Sequence, residues 1–201
     1  MLNTQSKKYL FALSILTLST NAFSNELSYD YVEGIYSSIT NSGFGTDLDA
    51  NGYAVDGSVS ISENIAITAL IGATNFDEIA GIDIDSTEYD IGITAHTPIA
   101  PGTDVFGNFS IVNGEVEVSD GINTVSDDDT GNVITIGLRH MASERVEIGT
   151  AFSRIDIFDD TGNSFGIGAR YFADDKLSIG LAYNTGDDVD AVSISGRINF
   201  K

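Results

Sequence analysis

Apolar and polar side chains alternate along much of the chain, as in residues 58–72, SVSISENIAITALIG. Apolar residues occupy every second position on either side of the break at residues 62–64, and mainly small or polar residues lie between them. A two-residue period is typical of a β-strand with two unlike faces, because successive side chains point to opposite sides of the sheet. No later segment shows the sustained 3.6-residue period of a helix. The pattern therefore predicts an all-β protein.

Ten such runs follow one another along the sequence. They are predicted at about residues 27–38, 51–62, 65–76, 86–96, 104–118, 132–141, 145–157, 163–172, 176–184 and 189–200. Short connections at 62–64, 96–102, 141–145 and 173–176 alternate with connections that are mostly longer and acidic. This order predicts an up-and-down antiparallel meander that closes into a barrel, with tight turns at one end and mobile loops at the other. Eight or twelve strands are the alternatives, since merging or splitting one weak run changes the count.

The apolar positions of these runs predict a continuous outer face, while Gly, Ser, Thr and Ala predominate on the other. Aromatic residues favour the ends of the runs, as they do where a barrel meets a membrane interface. A face of small residues with few Lys suits a narrow lumen better than an open, solvated surface. An exported β-sandwich, which would also alternate, is the competing interpretation. The first run fits less well, because placing Tyr29, Tyr31 and Ile35 outward would turn Glu33 toward lipid.

The N-terminal residues differ from the rest of the chain. Lys7 and Lys8 precede an apolar run at residues 9–18, and Ala22 and Ser24 are small residues at the −3 and −1 positions of a cleavage site. The pattern predicts a secretory signal peptide at residues 1–24 and an exported barrel domain at residues 25–201. A membrane anchor is the alternative, although a spanning helix needs about 20 apolar residues.

Charge and composition exclude several function classes. Lys and Arg number 9 against 30 Asp and Glu, giving a formal net charge of −21. Nucleic acid is not an expected partner, because phosphate binding needs a basic surface. The absence of cysteine excludes disulfides and Cys-based metal or redox sites. No cofactor is expected.

Alternation places several charged side chains inside the predicted barrel. Because buried charges must pair, we expect a salt-bridge network that fills the lumen. A barrel of about eight strands is just filled by its side chains, and ten strands make it only modestly wider. A narrow cation path through the same charges is the alternative. The predicted network consists of Asp56, Glu88, Asp90, Arg139, Glu147, Arg170 and Arg197.

Two other residue sets are candidates for chemistry. Asp127, Asp128 and Asp129 form a candidate divalent-cation loop, because carboxylate oxygens suit Ca²⁺ and Mg²⁺. The segment lacks EF-hand spacing, so solvated loop acids are the default and no metal is assigned. The two histidines, His96 and His140, fall at the tight-turn end with no Ser or Asp partner by spacing, so we expect no enzyme.

The last run, VSISGRINFK, keeps its alternation to Phe200. Together with the signal peptide, the aromatic-bounded strands and the tight turns at one end, it makes the chain resemble the small outer-membrane β-barrel proteins of Gram-negative bacteria. Members of that family usually end on the aromatic residue, which the barrel-assembly machinery reads during biogenesis. Ile198 and Phe200 would form that signal here, although Lys201 follows.

The resemblance implies a multi-pass barrel in the bacterial outer membrane, in contact with lipid and lipopolysaccharide. Its termini and tight turns would lie in the periplasm, and its acidic loops would face outside the cell. We expect a monomer with a structural or surface-interaction role through those loops. A small, porin-like cation-preferring channel is the second hypothesis, and a membrane-embedded hydrolase is the third.

Overall fold

The computed structural model describes residues 27–43 and 47–200, so the predicted signal peptide lies outside the described residues. Within that range no helix is long and apolar enough to cross a membrane. The structure confirms ten strands and an all-β fold. They are β1 (Tyr31–Asn41), β2 (Leu48–Ser62), β3 (Ile65–Phe76), β4 (Asp83–Ala100), β5 (Thr103–Ser119), β6 (Thr124–Ser143), β7 (Val146–Ile157), β8 (Asp160–Phe172), β9 (Leu177–Gly186) and β10 (Val189–Asn199).

The ten strands form one closed antiparallel barrel in which each strand pairs with its sequence neighbours. The first strand also pairs with the last, from Tyr31 opposite Asn199 to Asn41 opposite Val189. This closure rules out the sandwich interpretation. It also gives every spanning strand a partner on both sides, which lipid requires because the hydrocarbon offers backbone groups no hydrogen bonds.

The connections separate two ends of the barrel. The terminal end carries both ends of the described chain and the turns at residues 63–64, 101–102, 144–145 and 173–176. The distal end carries the connections at residues 42–47, 77–82, 120–123, 158–159 and 187–188. The expectation of long distal loops is therefore wrong for most of them, because the strands continue through the acidic segments. β5 and β6, for example, stay in register from Thr103 opposite His140 to Ser119 opposite Thr124.

Two details of the terminal end also differ from expectation. Pro98 lies in β4 opposite Asp104, next to a register shift, rather than in the turn. His96 is likewise a β4 residue. Pro101 alone of the two prolines occupies the turn.

The outer face is apolar, as the alternation predicts. Ile91 is 62% exposed, Ile136 59% and Leu181 61%, which fixes the outward direction of their strands. An exposed tyrosine on each of four strands marks the distal limit of this band, and the next outward residue on each strand is polar. The tyrosines are Tyr36, Tyr53, Tyr89 and Tyr183. The next residues on the outer face toward the distal end are, respectively, Ser38, Asn51, Thr87 and Thr185. The apolar band therefore has the aromatic border of a membrane-spanning surface.

The first strand corrects the expectation about Glu33. Tyr31 and Glu33 are 1% and 2% exposed inside the barrel, whereas Val32 and Tyr36 point outward. In the register of β1 with β10, Glu33 lies directly opposite Arg197. Pairing with that arginine decides which face of β1 enters the lumen, so Glu33 does not face lipid.

A charge placed in the apolar band tests this orientation. We expect Ile93→Arg, near the middle of the band on β4, to destabilise the folded barrel by about 2–4 kcal/mol in lipid bilayers. The matched control, Ser38→Arg, lies beyond Tyr36 and should cost about 0–1 kcal/mol. Denaturant titration in lipid vesicles measures both. Equal effects of the two substitutions would contradict the assigned membrane boundary.

Candidate functional site

The lumen is the first candidate site, and it is layered along the barrel axis. Charged side chains fill the terminal end, small polar side chains line the middle, and apolar side chains close the distal end. Each layer follows from which residues take the inward positions of their strands.

Glu33 is the centre of the charged layer. Its carboxylate contacts the guanidinium groups of Arg170 and Arg197, and Arg197 Nε donates to Glu33 Oε2 at 2.8 Å. Arg170 also donates to the hydroxyl oxygens of Ser178 at 3.3 Å and Ser195 at 3.2 Å. Because Glu33 is on β1, Arg170 on β8 and Arg197 on β10, these contacts bridge the seam where the barrel closes.

Tyr31 extends the charged layer from Arg197 toward Asp56. The Arg197 guanidinium carbon lies 3.6 Å from the centre of the Tyr31 ring, a cation–π contact. The hydroxyl of Tyr31 donates to Asp56 Oδ2 at 2.8 Å. Tyr31 therefore links Asp56 to the arginine pair through an aromatic side chain.

Arg139 organises the other side of this layer. Its Nε donates to Glu147 Oε1 at 3.0 Å, and its guanidinium carbon lies 4.5 Å from the centre of the Tyr29 ring. Glu147 is also opposite Arg170 in the β7–β8 register, so the two halves of the charged layer adjoin.

Residues 27–30 close the terminal mouth of the lumen. Leu27 and Tyr29 are buried and pack with Ala66 and Met141. The Tyr29 ring stacks on His96 with centres 3.6 Å apart, and its hydroxyl donates to Asp104 Oδ2 at 3.4 Å. The segment before β1 is thus part of the lumenal packing.

Both histidines have partners that spacing alone did not reveal. His96 Nδ1 lies 3.6 Å from Asp104 Oδ2, beyond hydrogen-bond distance, and the contact is an ion pair only when the imidazole is protonated. His140 Nδ1 and Thr103 Oγ1 are 2.8 Å apart. His96 is inside the barrel and His140 is exposed outside, so the two pairs lie on opposite faces of the sheet. They do not combine into a nucleophile, base and acid.

The middle layer contains the two remaining carboxylates of the predicted network. Glu88 sits against Gly72, where an added Cβ would come within 2.8 Å of Glu88 Oε1. Asp90 lines a cavity of about 60 Å³ together with Asp56, Ser110 and Arg139. Asn108 Nδ2 donates to the hydroxyls of Thr68 and Thr94 in the same wall, at 3.2 and 2.9 Å.

Seven charged residues were predicted to line the lumen, and all seven occupy inward positions. Five of them, Asp56, Arg139, Glu147, Arg170 and Arg197, gather in the terminal layer, while Glu88 and Asp90 lie in the middle layer. Sequence reasoning missed Glu33, Asp104, Tyr29 and Tyr31. For Glu33 the available signal was the other face of the first run, since placing Val32 and Tyr36 outward turns Glu33 into the lumen.

The distal layer is an apolar cluster that the sequence analysis did not anticipate. Its side chains are at most 8% exposed and come from inward positions near the distal ends of the strands. The available signal was a change of apolar face along a strand: on β7, Ile148 and Phe152 point outward, but Ile155 and Ile157 point inward. The distal apolar cluster consists of Ile39, Leu48, Ala50, Phe76, Ile84, Val112, Val116, Val133, Ile155, Ile157, Phe158, Val189 and Ala191.

The second candidate site is a distal sheet made of the far ends of β4, β5 and β6. These ends stay paired beyond the apolar band, through Asp83 opposite Ser119 and Ser119 opposite Thr124. Acidic residues occupy outward positions directly opposite each other on adjacent strands: Asp85 is opposite Glu117, and Glu115 is opposite Asp128. The outward face of this distal sheet is therefore strongly negative.

The candidate divalent-cation loop lies in this sheet and is not a loop. Asp127, Asp128 and Asp129 belong to β6, where consecutive side chains point to opposite faces. Asp129 Oδ2 accepts a hydrogen bond from the Phe158 backbone N–H at 2.6 Å. Across residues 27–43 and 47–200, no three His, Cys, Asp or Glu side chains form a group that could hold a metal ion.

Neutralising Glu33 tests the charged layer. We expect Glu33→Gln to destabilise the barrel by about 3–5 kcal/mol, because the buried Arg170 and Arg197 would lose the carboxylate that they share. Glu63→Gln, in an exposed turn at the same end, is the matched control with an expected change of at most about 0.5 kcal/mol. Urea titration in detergent micelles compares the two. A Glu33→Gln barrel as stable as the parent would show that the layer contributes little.

The comparisons with known proteins agree with this architecture. Solved structures that it resembles include the transport unit of the autotransporter AIDA-I from Escherichia coli, with 10% identity and a TM-score of 0.59 over 98% of this chain and 97% of that one. The translocator domain of the autotransporter NalP from Neisseria meningitidis follows at 10% identity and a TM-score of 0.53, over 86% and 89%. The KdgM porin matches at 8% identity and a TM-score of 0.50, over 84% and 99%. These likenesses concern the fold alone.

No curated protein sequence matches this chain significantly. The model of the outer membrane protein beta-barrel domain matches residues 10–160, more than half of the sequence. This confirms the resemblance drawn from the strands and their ends. The chain belongs to the outer membrane protein beta-barrel domain family.

Proposed function

We propose that this protein is a non-conducting barrel of the bacterial outer membrane that acts at the cell surface through its acidic distal end. The distal apolar cluster is the observation that carries the proposal. A hydrated ion crossing that layer would lose its water among side chains that offer no polar replacement, and burying an unpaired charge costs several kcal/mol or more.

The terminal end supports the same conclusion by a different means. There the lumen is filled by the Glu33, Arg170 and Arg197 contacts, and Leu27 and Tyr29 cover its mouth. Because the Glu33 carboxylate is already paired with two guanidinium groups, it is not available to a passing cation. An open path would therefore require rearrangement of two layers with unrelated chemistry.

The outward face of the distal sheet supports a role at the surface. Glu115, Glu117 and Asp128 are exposed there, and basic residues are scarce at this end. Such a field attracts cationic surfaces and repels anionic ones, and it acts over about 8–10 Å at physiological salt. Where this face adjoins anionic lipopolysaccharide, divalent cations in the medium would have to offset the like charges.

Biogenesis and assembly state complete the proposal. Ile198 and Phe200 point outward at the terminal end of the last strand, with Phe200 57% exposed. That position makes them accessible to the barrel-assembly machinery before β1 and β10 pair. We propose a monomer in lipid, because the barrel closes on itself and completes its lumenal contacts within one chain.

A cation-preferring channel is the second candidate, favoured by one observation. Asp90 lines the mid-lumen cavity, and the acidic distal end would concentrate cations outside it. For conduction, the distal apolar cluster would have to open. The two functions therefore differ in a measurable property of the resting barrel.

Planar-bilayer recording of the chain purified from outer membranes separates them. We expect no discrete current steps in potassium chloride when folding is verified by heat-dependent gel mobility. The matched variant Asp90→Asn should be equally silent, because Asp90 is not on a conducting path. Cation-selective steps from the parent that weaken in Asp90→Asn would overturn the non-conducting barrel and establish the channel.

The surface role is tested by association with polylysine. We expect the chain in neutral lipid nanodiscs to bind polylysine at low salt and to release it as salt rises. The triple variant Glu115→Gln, Glu117→Gln and Asp128→Asn should bind at least tenfold more weakly. The triple variant Glu144→Gln, Asp174→Asn and Asp175→Asn, at the terminal end, removes the same number of charges and is the control for net charge. Equal loss in both variants would contradict a role localised on the distal sheet.

A further inference from the structure

The distal sheet has an unpaired backbone edge along β6. β6 pairs with β5 up to Thr124, but its pairing with β7 begins only at Asn132 opposite Asp156. Residues 124–131 therefore have β5 on one side and, within residues 27–43 and 47–200, no strand on the other. Near residue 129 the turn after β7 approaches, since Asp129 accepts from the Phe158 N–H. Residues 124–128 are thus the accessible part, hereafter the β6 edge.

The hydrogen bonding of the hairpin shows which backbone groups the β6 edge presents. Asp120 N donates to Asn123 O at 3.1 Å, so these two residues form a hydrogen-bonded pair. Hydrogen-bonded and non-hydrogen-bonded pairs alternate along an antiparallel ladder, and this ladder has no register shift. The N–H and C=O groups of Thr124, Ser126 and Asp128 consequently point away from β5, into the medium.

The tip of the hairpin is held in place. The carboxylate of Asp120 accepts from the backbone N–H groups of Asn123 at 2.7 Å and Ile122 at 2.9 Å. These hydrogen bonds favour the ionised form and keep the pKa of Asp120 below its ordinary value. The β6 edge is therefore a preformed strand beside an ordered turn, and a partner would not have to order it on binding.

Side chains around the β6 edge indicate what could pair with it. Val125 is 62% exposed and shares the inward side of the edge with Asp127, and Ile122 of the turn is 91% exposed. On the outward side, Asp128 adjoins Glu115 of β5. A second copy pairing here would bring like charges together, which is how natural proteins protect edge strands from self-association. Positive charge in the incoming strand would be favoured instead.

We propose that the β6 edge is a docking strand for an extended, lysine- or arginine-bearing peptide segment of another protein. The segment adds to the distal sheet beside β6, with its backbone bonded to Thr124, Ser126 and Asp128. Side chains on the outward face of the guest lie beside Asp128 and are favoured when they are basic. On the inward face, a β-branched residue suits the position beside Val125 and a basic residue suits the position beside Asp127. This inference rests on the proposed surface function and names its class of partner.

A proline at the β6 edge tests the docking mode. The probe is a fluorescent seven-residue peptide of alternating lysine and valine, with its glutamate–valine counterpart as control, titrated against the chain in neutral nanodiscs. Ser126→Pro removes one outward N–H without breaking a bond to β5, and edge strands tolerate proline. We expect Ser126→Pro to bind the lysine–valine peptide at least tenfold more weakly and Ser126→Ala to bind it as the parent does. The glutamate–valine peptide should not bind to any of the three.

Hydrogen exchange provides a readout independent of the variant. Bound peptide should slow exchange at the amides of Thr124, Ser126 and Asp128 in the parent protein. Peptide binding without that protection, or equal binding by Ser126→Pro, would overturn the edge docking. Concentration-dependent dimers of the parent that disappear in Ser126→Pro would overturn it in favour of self-pairing.

Polylysine binding separates this inference from the proposed function. If Ser126→Pro and the parent bind both polylysine and the peptide equally, the surface function stands and edge docking is wrong. If the parent binds neither polycation, the surface function itself fails. Retained polylysine binding with selective loss of the peptide supports both.

Discussion

A single carboxylate on the first strand, shared by two buried arginines, is the contact on which the rest of the barrel depends. Glu33 joins β1 to β8 and β10, so the charge pairing and the closure of the ring take place at the same position. The pairing determines which face every residue of β1 occupies, because successive residues of a strand alternate between faces. Tyr31 then enters the lumen beneath Arg197, and Val32 and Tyr36 join the lipid face.

The surroundings change along the barrel axis, and the strands change with them. Within the membrane the outer face must be apolar, so the lumen receives the polar and charged residues. Beyond the tyrosine border water lies outside, and the inward positions become apolar while acids take the outward ones. β5 shows both parts: Phe109 and Ile111 face outward, whereas Val112 and Val116 are buried inside. The distal end is therefore built like a small soluble barrel continuous with a membrane one.

The change from lipid to water along the barrel axis explains which features of the fold the sequence predicts. Strand number and outward face are predictable because lipid requires an apolar residue at every second position, as in Ile67, Ala69 and Ile71. The interior is less predictable, because partners such as Glu33 and Arg197 are far apart in sequence and are joined only by the closing register. The acidic segments were predicted to be loops because their composition is typical of loops. In the structure Val116 pairs with Asp127 and Val118 pairs with Val125, which extends the sheet.

Unequal hairpin lengths then determine where the closed barrel offers something to its surroundings. Closure removes every edge within the membrane, since each spanning strand has two partners. The β5–β6 hairpin continues past Asn132, where β7 no longer accompanies it, and so restores an edge in the medium alone. The same acids that suit this surface to cationic partners discourage two copies from joining there. The same ladder of strands thus gives stability in lipid, where every strand is paired on both sides, and an exposed edge at the surface, where the pairing of β6 with β7 stops.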